Sequence, residues 1–94
     1  MLSVQRVLPD AIVEIVRRQP TTPEKVDFAW RTAVGPAVAR ATSASLDAEG
    51  TLVIVATDAR WRHEIEKSLS VVRPRLETLL GDAMVRIALA PPRF

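Results

Sequence analysis

The sequence predicts an α+β fold in which helices pack on one face of a three-stranded sheet. Three observations indicate this fold class. Apolar residues recur at helical spacing in three segments, a strand-like alternation turns back at a glycine, and a last alternating segment stops at two prolines. The expected order of elements is ααββαβ. A chain of 94 residues without cysteine is expected to form one domain, residues 1–94, that depends on its apolar core.

The first helix is predicted between Ser3 and Arg18, where apolar residues lie three or four positions apart. Pro9 falls within this pattern. A proline is tolerated in the first turn but removes a hydrogen bond further along, so the helix either begins at Pro9 or begins near residue 4 and bends at the proline. We favour a beginning near residue 4. Gln19 and Pro20 end the helix.

The second helix is expected to begin at Thr21 and to run to about Val34. Thr21 and Glu24 have the spacing of a capping box. The predicted buried stripe consists of Val26, Ala29, Trp30, Ala33 and Val34. Gly35 then breaks the pattern, and a short helical turn follows the corner.

A hairpin is predicted after this corner. Residues 42–47 alternate between apolar and polar side chains, as in a strand with one buried face. Asp47 to Gly50 form the turn, with Gly50 free to adopt a positive φ. The second strand, residues 51–57, is apolar on both faces and is therefore expected to be central and the most buried.

A long helix follows Asp58, which is a suitable N-cap, and ends at Gly81. Its apolar stripe consists of Trp61, Ile65, Leu69, Val72, Leu76, Leu79 and Leu80. Pro74 lies inside this helix and is expected to kink or split it. The last strand alternates, with Val85, Ile87 and Leu89 on one face and Met84, Arg86 and Ala88 on the other. Pro91 and Pro92 end it.

The composition excludes several classes of protein. No segment approaches the roughly 20 apolar residues that a membrane helix needs, and the N-terminus lacks the apolar region of a secretory signal. A cytoplasmic protein without membrane contact is therefore expected. The absence of cysteine excludes disulfides, thiol nucleophiles and thiolate metal ligands.

The sequence also lacks the common catalytic and cofactor-binding motifs, such as a phosphate-binding glycine loop or a nucleophile elbow. His63 and Glu66 lie one helical turn apart, but metals usually require three or four ligands, so we favour a solvated histidine. Asp47 and Glu49 are better explained by turn formation than by acid–base catalysis. We therefore expect no enzyme activity, metal, cofactor or small-molecule substrate.

Arginine supplies most of the positive charge. Eleven of the 13 basic residues are arginine, although the net charge is only +2. Guanidinium groups match both phosphate and carboxylate, so polyanions and acidic protein surfaces are both candidate partners. On the long helix, Arg60, His63 and Lys67 share a polar face that could bind phosphate. Arg62 precedes Glu66 by four residues and could instead be paired on a solvated surface.

The second helix and the corner contribute further candidate residues. Trp30 is in phase with the apolar stripe of the second helix and Trp61 with that of the long helix, so both are expected to be mainly core, with a surface anchor as the alternative. Arg31 and Arg40 flank the corner at Gly35 and could extend the positive surface. The sequence leaves open whether they converge with the arginines of the long helix.

Two segments, Trp30 to Gly35 and Leu52 to Ile65, are similar in combination to a known family. Over about residues 4–89 the chain resembles the folded domain of the DciA family. The resemblance implies a KH-like fold in a bacterial protein that associates with the replicative helicase DnaB and assists its loading onto DNA. The G-x-x-G loop with which KH domains clamp nucleic acid is absent, so that mode of binding is not implied.

The resulting hypothesis is a non-enzymatic replication adaptor that binds the replicative helicase and single-stranded or duplex DNA. The residues predicted to contact DNA are Arg31, Arg40, Arg60, Arg62, His63 and Lys67. The motif positions Trp30, Gly35 and Trp61 are expected to be chiefly structural. Two alternatives stay open, a protein–protein interaction module without nucleic-acid binding and a small KH-like RNA-binding domain. Since few aromatic residues are available for base stacking, nucleic-acid binding is expected to be backbone-driven and salt-dependent.

Overall fold

The computed structural model of the protein describes residues 9–90, which form four α-helices and three strands. In chain order these are helices α1 (Asp10–Arg18), α2 (Pro23–Val34) and α3 (Pro36–Arg40), strands β1 (Thr42–Leu46) and β2 (Thr51–Ala56), helix α4 (Ala59–Leu80) and strand β3 (Arg86–Leu89). A short 3-10 helix, Gly81–Ala83, joins α4 to β3. The predicted α+β class and the order of its elements are confirmed, and the turn expected after the corner is a helix of its own, α3.

The three strands form a mixed sheet in the order β1-β2-β3. β1 and β2 pair antiparallel through the predicted turn, with Ala44 opposite Ile54. β2 and β3 pair parallel, with Leu52 opposite Ile87, and α4 makes the crossover between them. β2 is the central strand and the most buried of the three, as predicted.

Within residues 9–90, the helices pack on one face of this sheet, which confirms the predicted arrangement. On the covered face, Leu52 and Ile54 belong to the same buried cluster as Trp30 of α2 and Leu76 of α4. The other face carries Arg86 of β3 and otherwise small or β-branched side chains, among them Ser43, Ser45, Val53, Val55 and Ala88. The core therefore lies between the sheet and the pair α2 and α4.

In the described part of the chain, α1 begins at Asp10, directly after Pro9. Pro9 is the N-cap, and its ψ of 146° is extended backbone that interrupts helical geometry at this residue. The Pro9 carbonyl accepts hydrogen bonds from the amides of Ile12 and Val13 at 3.0 and 3.1 Å, which starts the helix. The part of the prediction that concerns residues 3–8 lies outside the described residues.

Lys25 joins α1 to α2 and is nearly buried, with 8% of its surface exposed. Its Nζ donates to the carbonyls of Arg17 and Gln19 at 3.1 and 2.9 Å, where α1 ends and its last carbonyls lack helical partners. The N-cap of α2 is Thr22, whose Oγ1 accepts from the Lys25 amide at 3.2 Å, one residue later than the predicted Thr21. One lysine therefore bridges the end of one helix and the first turn of the next.

α4 is a single helix of 22 residues that continues through Pro74, so the prediction that the proline splits it is wrong. Pro74 lies on the exposed side, whereas Leu76, Leu79 and Leu80 beyond it are buried and hold the last turns in the core. The predicted N-cap is confirmed, because the Asp58 carboxylate accepts from the Trp61 amide at 3.0 Å. None of the helices in the described part of the chain has the length and apolarity needed to cross a membrane.

The hairpin turn and β3 meet at Gly50. Gly50 has a φ of 87°, as predicted, and its carbonyl accepts from the amides of Val85 and Arg86 at 2.7 and 3.3 Å. A methyl group at position 50 would lie 2.7 Å from Val85 Cγ2, so only glycine fits. The alternation predicted for β3 is wrong at its start: Met84 is buried and Val85 is exposed, because the strand begins only at Arg86, after the 3-10 helix.

Candidate nucleic-acid interface

The corner between α2 and α3 depends on Gly35. Gly35 has φ 87° and ψ 169°, a region of backbone space that is essentially restricted to glycine. Its amide donates to the Arg31 carbonyl at 3.0 Å and its carbonyl accepts from the Ala39 amide at 3.0 Å, so it ends α2 and begins α3. Pro36 suits the first position of α3, where its missing N–H has no role.

This corner brings Arg31 and Arg40 onto one surface groove of about 580 Å³. The groove is lined by Phe28, Arg31, Thr32, Gly35, Pro36, Ala39 and Arg40. Arg31 lies 3.6 Å from Asp27 in an exposed pair, which is a weak restraint. Arg40 is exposed and forms no ion pair with any of residues 9–90. Both guanidinium groups are therefore accessible to an anionic partner.

Trp30 links the two helices that form this groove. The side chain is 1% exposed, and its indole N–H donates to Thr42 Oγ1 at 2.8 Å. The Thr42 hydroxyl in turn donates to the Val38 carbonyl at 2.7 Å. This chain of hydrogen bonds joins α2, β1 and α3, so the expectation that Trp30 is chiefly structural agrees with its position.

Arg60 lies on a chain segment that adjoins the end of α3. The Thr57 amide donates to the Ala41 carbonyl at 2.9 Å, which places the first turn of α4 next to the residue after Arg40. Arg60 forms no ion pair within the described residues, and its guanidinium carbon lies 6.0 Å from the centroid of the Trp61 ring, at the limit of a cation–π contact. Trp61 itself is half-buried against the core.

The three remaining predicted residues lie further along α4, and each lies near a glutamate. Arg62 contacts Glu66 at 3.2 Å, and His63 Nδ1 lies 3.8 Å from the same carboxylate. Lys67 lies 3.5 Å from Glu64. None of the three side chains lines the groove that contains Arg31 and Arg40.

Arg62 also has a structural role. Its Nε donates to the Ala90 carbonyl at 3.1 Å and its Nη2 to the Leu89 carbonyl at 3.5 Å. The side chain is only one-third exposed and holds the end of β3 against α4. These bonds explain its position without nucleic acid, and DNA contact by Arg62 stays a prediction.

Comparison with known families decides which family the chain represents. The model of the family described as "Dna[CI] antecedent, DciA" matches residues 3–87 of the 94 residues. The chain belongs to the DciA family. No curated protein matches the chain.

The motif positions of this DciA-family chain have distinct structural tasks. Trp30 anchors the buried side of α2, and Gly35 makes the corner. Trp61 packs on the core from the first turn of α4, with part of its ring exposed beside Arg60. No group of three or more His, Asp or Glu side chains within residues 9–90 is arranged to hold a metal ion, and the one carboxylate of these residues within 4 Å of the His63 ring nitrogens is that of Glu66.

Residue Phe28 of this DciA-family chain was not among the predicted interface residues, although it lines the groove with 41% of its surface exposed. The signal was present in the sequence, because Phe28 falls outside the buried stripe that contains Ala29 and Trp30. Phe94, the other phenylalanine, lies outside the described residues. An exposed phenyl ring beside two arginines provides an apolar contact within a positively charged groove.

Proposed function

We propose that this protein is a non-enzymatic adaptor of bacterial DNA replication that acts in the cytoplasm, binds the replicative helicase and DNA, and assists loading of the helicase. The observation on which the proposal depends is the match to the DciA family over residues 3–87. It needs no nucleotide hydrolysis and no metal or cofactor. The adaptor acts stoichiometrically, by binding.

The groove at the α2–α3 corner supports a DNA-binding role. Arg31 and Arg40 line it together, and Arg60 lies on the adjoining segment. Guanidinium groups form paired hydrogen bonds with phosphate oxygens, and such contacts carry no sequence information. DNA is therefore held through its backbone, with an affinity that falls steeply as salt rises.

Helicase loading by such an adaptor requires preferential binding to one helicase state. A bound protein can shift a conformational equilibrium only by its difference in affinity for the two states. The adaptor must therefore bind more tightly to the helicase conformation that admits DNA. A second surface for DNA on the same small domain would hold the strand close to the opened helicase and raise its local concentration.

Two assays, one of helicase binding and one of helicase loading, test this proposal directly. The full chain, immobilised through its N-terminus, is incubated with purified replicative helicase of the same organism and with the native extract, and retained proteins are identified by mass spectrometry. We expect the helicase to be retained in both. Loading is then measured as unwinding of a circular forked substrate with and without the adaptor. Absence of binding by the purified helicase would contradict the proposal.

A protein–protein module without nucleic-acid binding is the second candidate. The pairing of Arg62 and Lys67 with glutamates on α4 favours it, because these cations are already partly neutralised. A salt titration of binding to short single-stranded and duplex DNA separates the candidates. A linear fall of log affinity with log salt supports the adaptor with a DNA surface, whereas absence of binding at low salt supports the protein module.

A KH-like RNA-binding domain predicts a different result in the same titration. Such a domain would bind single-stranded RNA more tightly than DNA of the same sequence. Because the proposed contacts are to phosphates, we expect little preference between the two. A strong RNA preference would support the RNA-binding alternative.

A further inference from the structure

The two edges of the sheet differ in how they are protected. At β3, the hydrogen bond from the Ala90 amide to the Ile54 carbonyl at 2.9 Å shows that even-numbered residues face β2 and odd-numbered residues face outward. The outward carbonyl of Leu89 accepts from Arg62 Nη2 at 3.5 Å, and that of Val85 accepts from Arg73 Nη2 at 3.1 Å. Both arginines come from α4. Side chains therefore occupy both ends of the β3 edge.

The β1 edge has no such protection within residues 9–90. The Thr57 amide donates to the Ala41 carbonyl and the Asp47 amide to the Thr51 carbonyl, so odd-numbered residues of this strand face β2. The amides and carbonyls of Thr42, Ala44 and Leu46 therefore point outward. No side chain among the described residues bonds to these groups.

The composition of β1 also leaves this edge open to another strand. Its sequence, Thr-Ser-Ala-Ser-Leu, contains no charge and no proline, the devices with which edge strands usually avoid pairing. A groove of about 400 Å³ runs beside the edge, between its core-side residues Ala44 and Leu46 and the first turn of α2. The strand is thus accessible from the side, and its side chains, apart from Leu46, are small.

We propose that β1 is a self-association site, at which β1 of a second copy of this chain adds antiparallel about Ala44. In this register Ala44 of one copy lies opposite Ala44 of the other. Thr42 of each copy then lies opposite Leu46 of the other, and Ser43 of each copy opposite Ser45 of the other. The outward amides and carbonyls then bond to one another. A continuous six-stranded sheet spans the two copies.

The charges at the two ends of β1 favour a second copy over an unrelated strand. Arg40 lies just before the strand, and Asp47 and Glu49 lie just after it. None of the three forms an ion pair within the described residues. Antiparallel pairing brings Arg40 of each copy to the end at which Asp47 and Glu49 of the other copy lie, so the edge is complementary to itself.

The resulting dimer is weak. One pair of five-residue strands buries less surface than the roughly 1,600 Å² of a standard stable interface. Association is therefore reversible and depends on protein concentration. The test of the proposal contains neither helicase nor DNA, and it does not alter Arg40, which also lines the proposed DNA groove.

The test places charges at the positions that the proposed register brings opposite each other. Ser43 and Ser45 are exposed on the open face of the sheet, and in the proposed dimer they form close pairs across the two copies. The variants are Ser43→Lys with Ser45→Lys and, separately, Ser43→Glu with Ser45→Glu. The control, Ser70→Lys with Thr78→Lys, adds the same two positive charges at exposed positions of α4, away from β1. Masses are measured by sedimentation equilibrium over a concentration series.

We expect the wild type and the α4 control to show a rise in mass towards the dimer. Each β1 variant alone should associate at least about tenfold more weakly, because like charges face each other, and an equal mixture of the two should recover the dimer. Amide exchange at Ala44 and Leu46 should slow in the wild type as concentration rises. A wild type that stays monomeric throughout the series overturns the proposal, as does a lysine variant that dimerises as well as the wild type.

Discussion

The indole N–H of Trp30 donates to the hydroxyl of Thr42 at 2.8 Å, and this bond joins the buried side of α2 to the first residue of β1. The same hydroxyl donates to the Val38 carbonyl, so one threonine links three elements. The walls of the Arg31–Arg40 groove are held in place by this link. Its removal should therefore affect stability first and binding second.

Thr42→Val tests this link. Valine keeps the shape of threonine but leaves the buried indole N–H without a partner and removes one of the two hydrogen bonds to the Val38 carbonyl, which still accepts from the Ala41 amide. We therefore expect the free energy of unfolding to fall by about 1–3 kcal/mol. Thr42→Ser keeps the hydroxyl and should cost less. Both are measured by urea denaturation followed by tryptophan fluorescence. Equal stability of the valine variant and the wild type would show that the bond contributes nothing.

Gly35→Ala should destabilise the corner through the backbone alone. No atom lies within 4 Å of the position that the new methyl group would occupy, so sterically the site is open. The cost comes from φ 87° and ψ 169°, and we expect about 1–3 kcal/mol. Asparagine tolerates left-handed helical backbone but not this region, so Gly35→Asn should be no better than alanine. Thermal unfolding measures both, and a rescue by asparagine would contradict the explanation.

Arg31→Ala and Arg40→Ala should each weaken DNA binding and reduce the slope of log affinity against log salt by about one unit, the effect of one lost phosphate contact. Arg18→Ala is the matched control. Arg18 is 83% exposed on α1, away from the groove, and its loss changes the net charge equally. Fluorescence anisotropy with a labelled single strand measures the slope. A loss of the same size in all three variants would indicate a general charge effect and no localised site.

Lys25→Met should loosen α1. Methionine can fill the space of the aliphatic stem but cannot bond to the carbonyls of Arg17 and Gln19, so we expect a loss of about 1–3 kcal/mol. Lys67→Met is the control, since Lys67 is exposed and its pair with Glu64 contributes little. Hydrogen exchange should show faster exchange in α1 than elsewhere. Uniform protection in the Lys25 variant would argue against the capping role.

The sequence predicted the elements whose signals are local. The stripe of α4, its N-cap Asp58 and the turn glycine Gly50 all depend on neighbouring residues, and all are confirmed. The capping residue of α2 was displaced by one position, because Thr21 and Thr22 are equally suitable in the sequence. Pro74 was expected to kink or split α4. The helix is not split, because the leucines beyond the proline are buried and hold the last turns in the core.

The candidate site could be predicted only in part. Arg31 and Arg40 were placed on either side of one corner, and the geometry of Gly35 then determines that they share a groove. The role of Arg62 was not accessible from local patterns, because its partner carbonyl at Ala90 lies 28 residues away. The pairing of Arg62 with Glu66 could be predicted from their spacing in the sequence. The hydrogen bonds of Arg62 to the end of β3 could not, because they depend on how the α4 crossover returns the chain to the sheet.

The close fit between Gly50 and Val85 has a consequence for how the chain folds. The turn of the hairpin reaches its final hydrogen bonding only when the strand that follows α4 is in place, because the Gly50 carbonyl accepts from Val85 and Arg86. An early hairpin without the C-terminal strand would leave this carbonyl and one side of β2 unsatisfied. The N-terminal and C-terminal halves are therefore expected to melt in one cooperative transition, with no stable half-folded species.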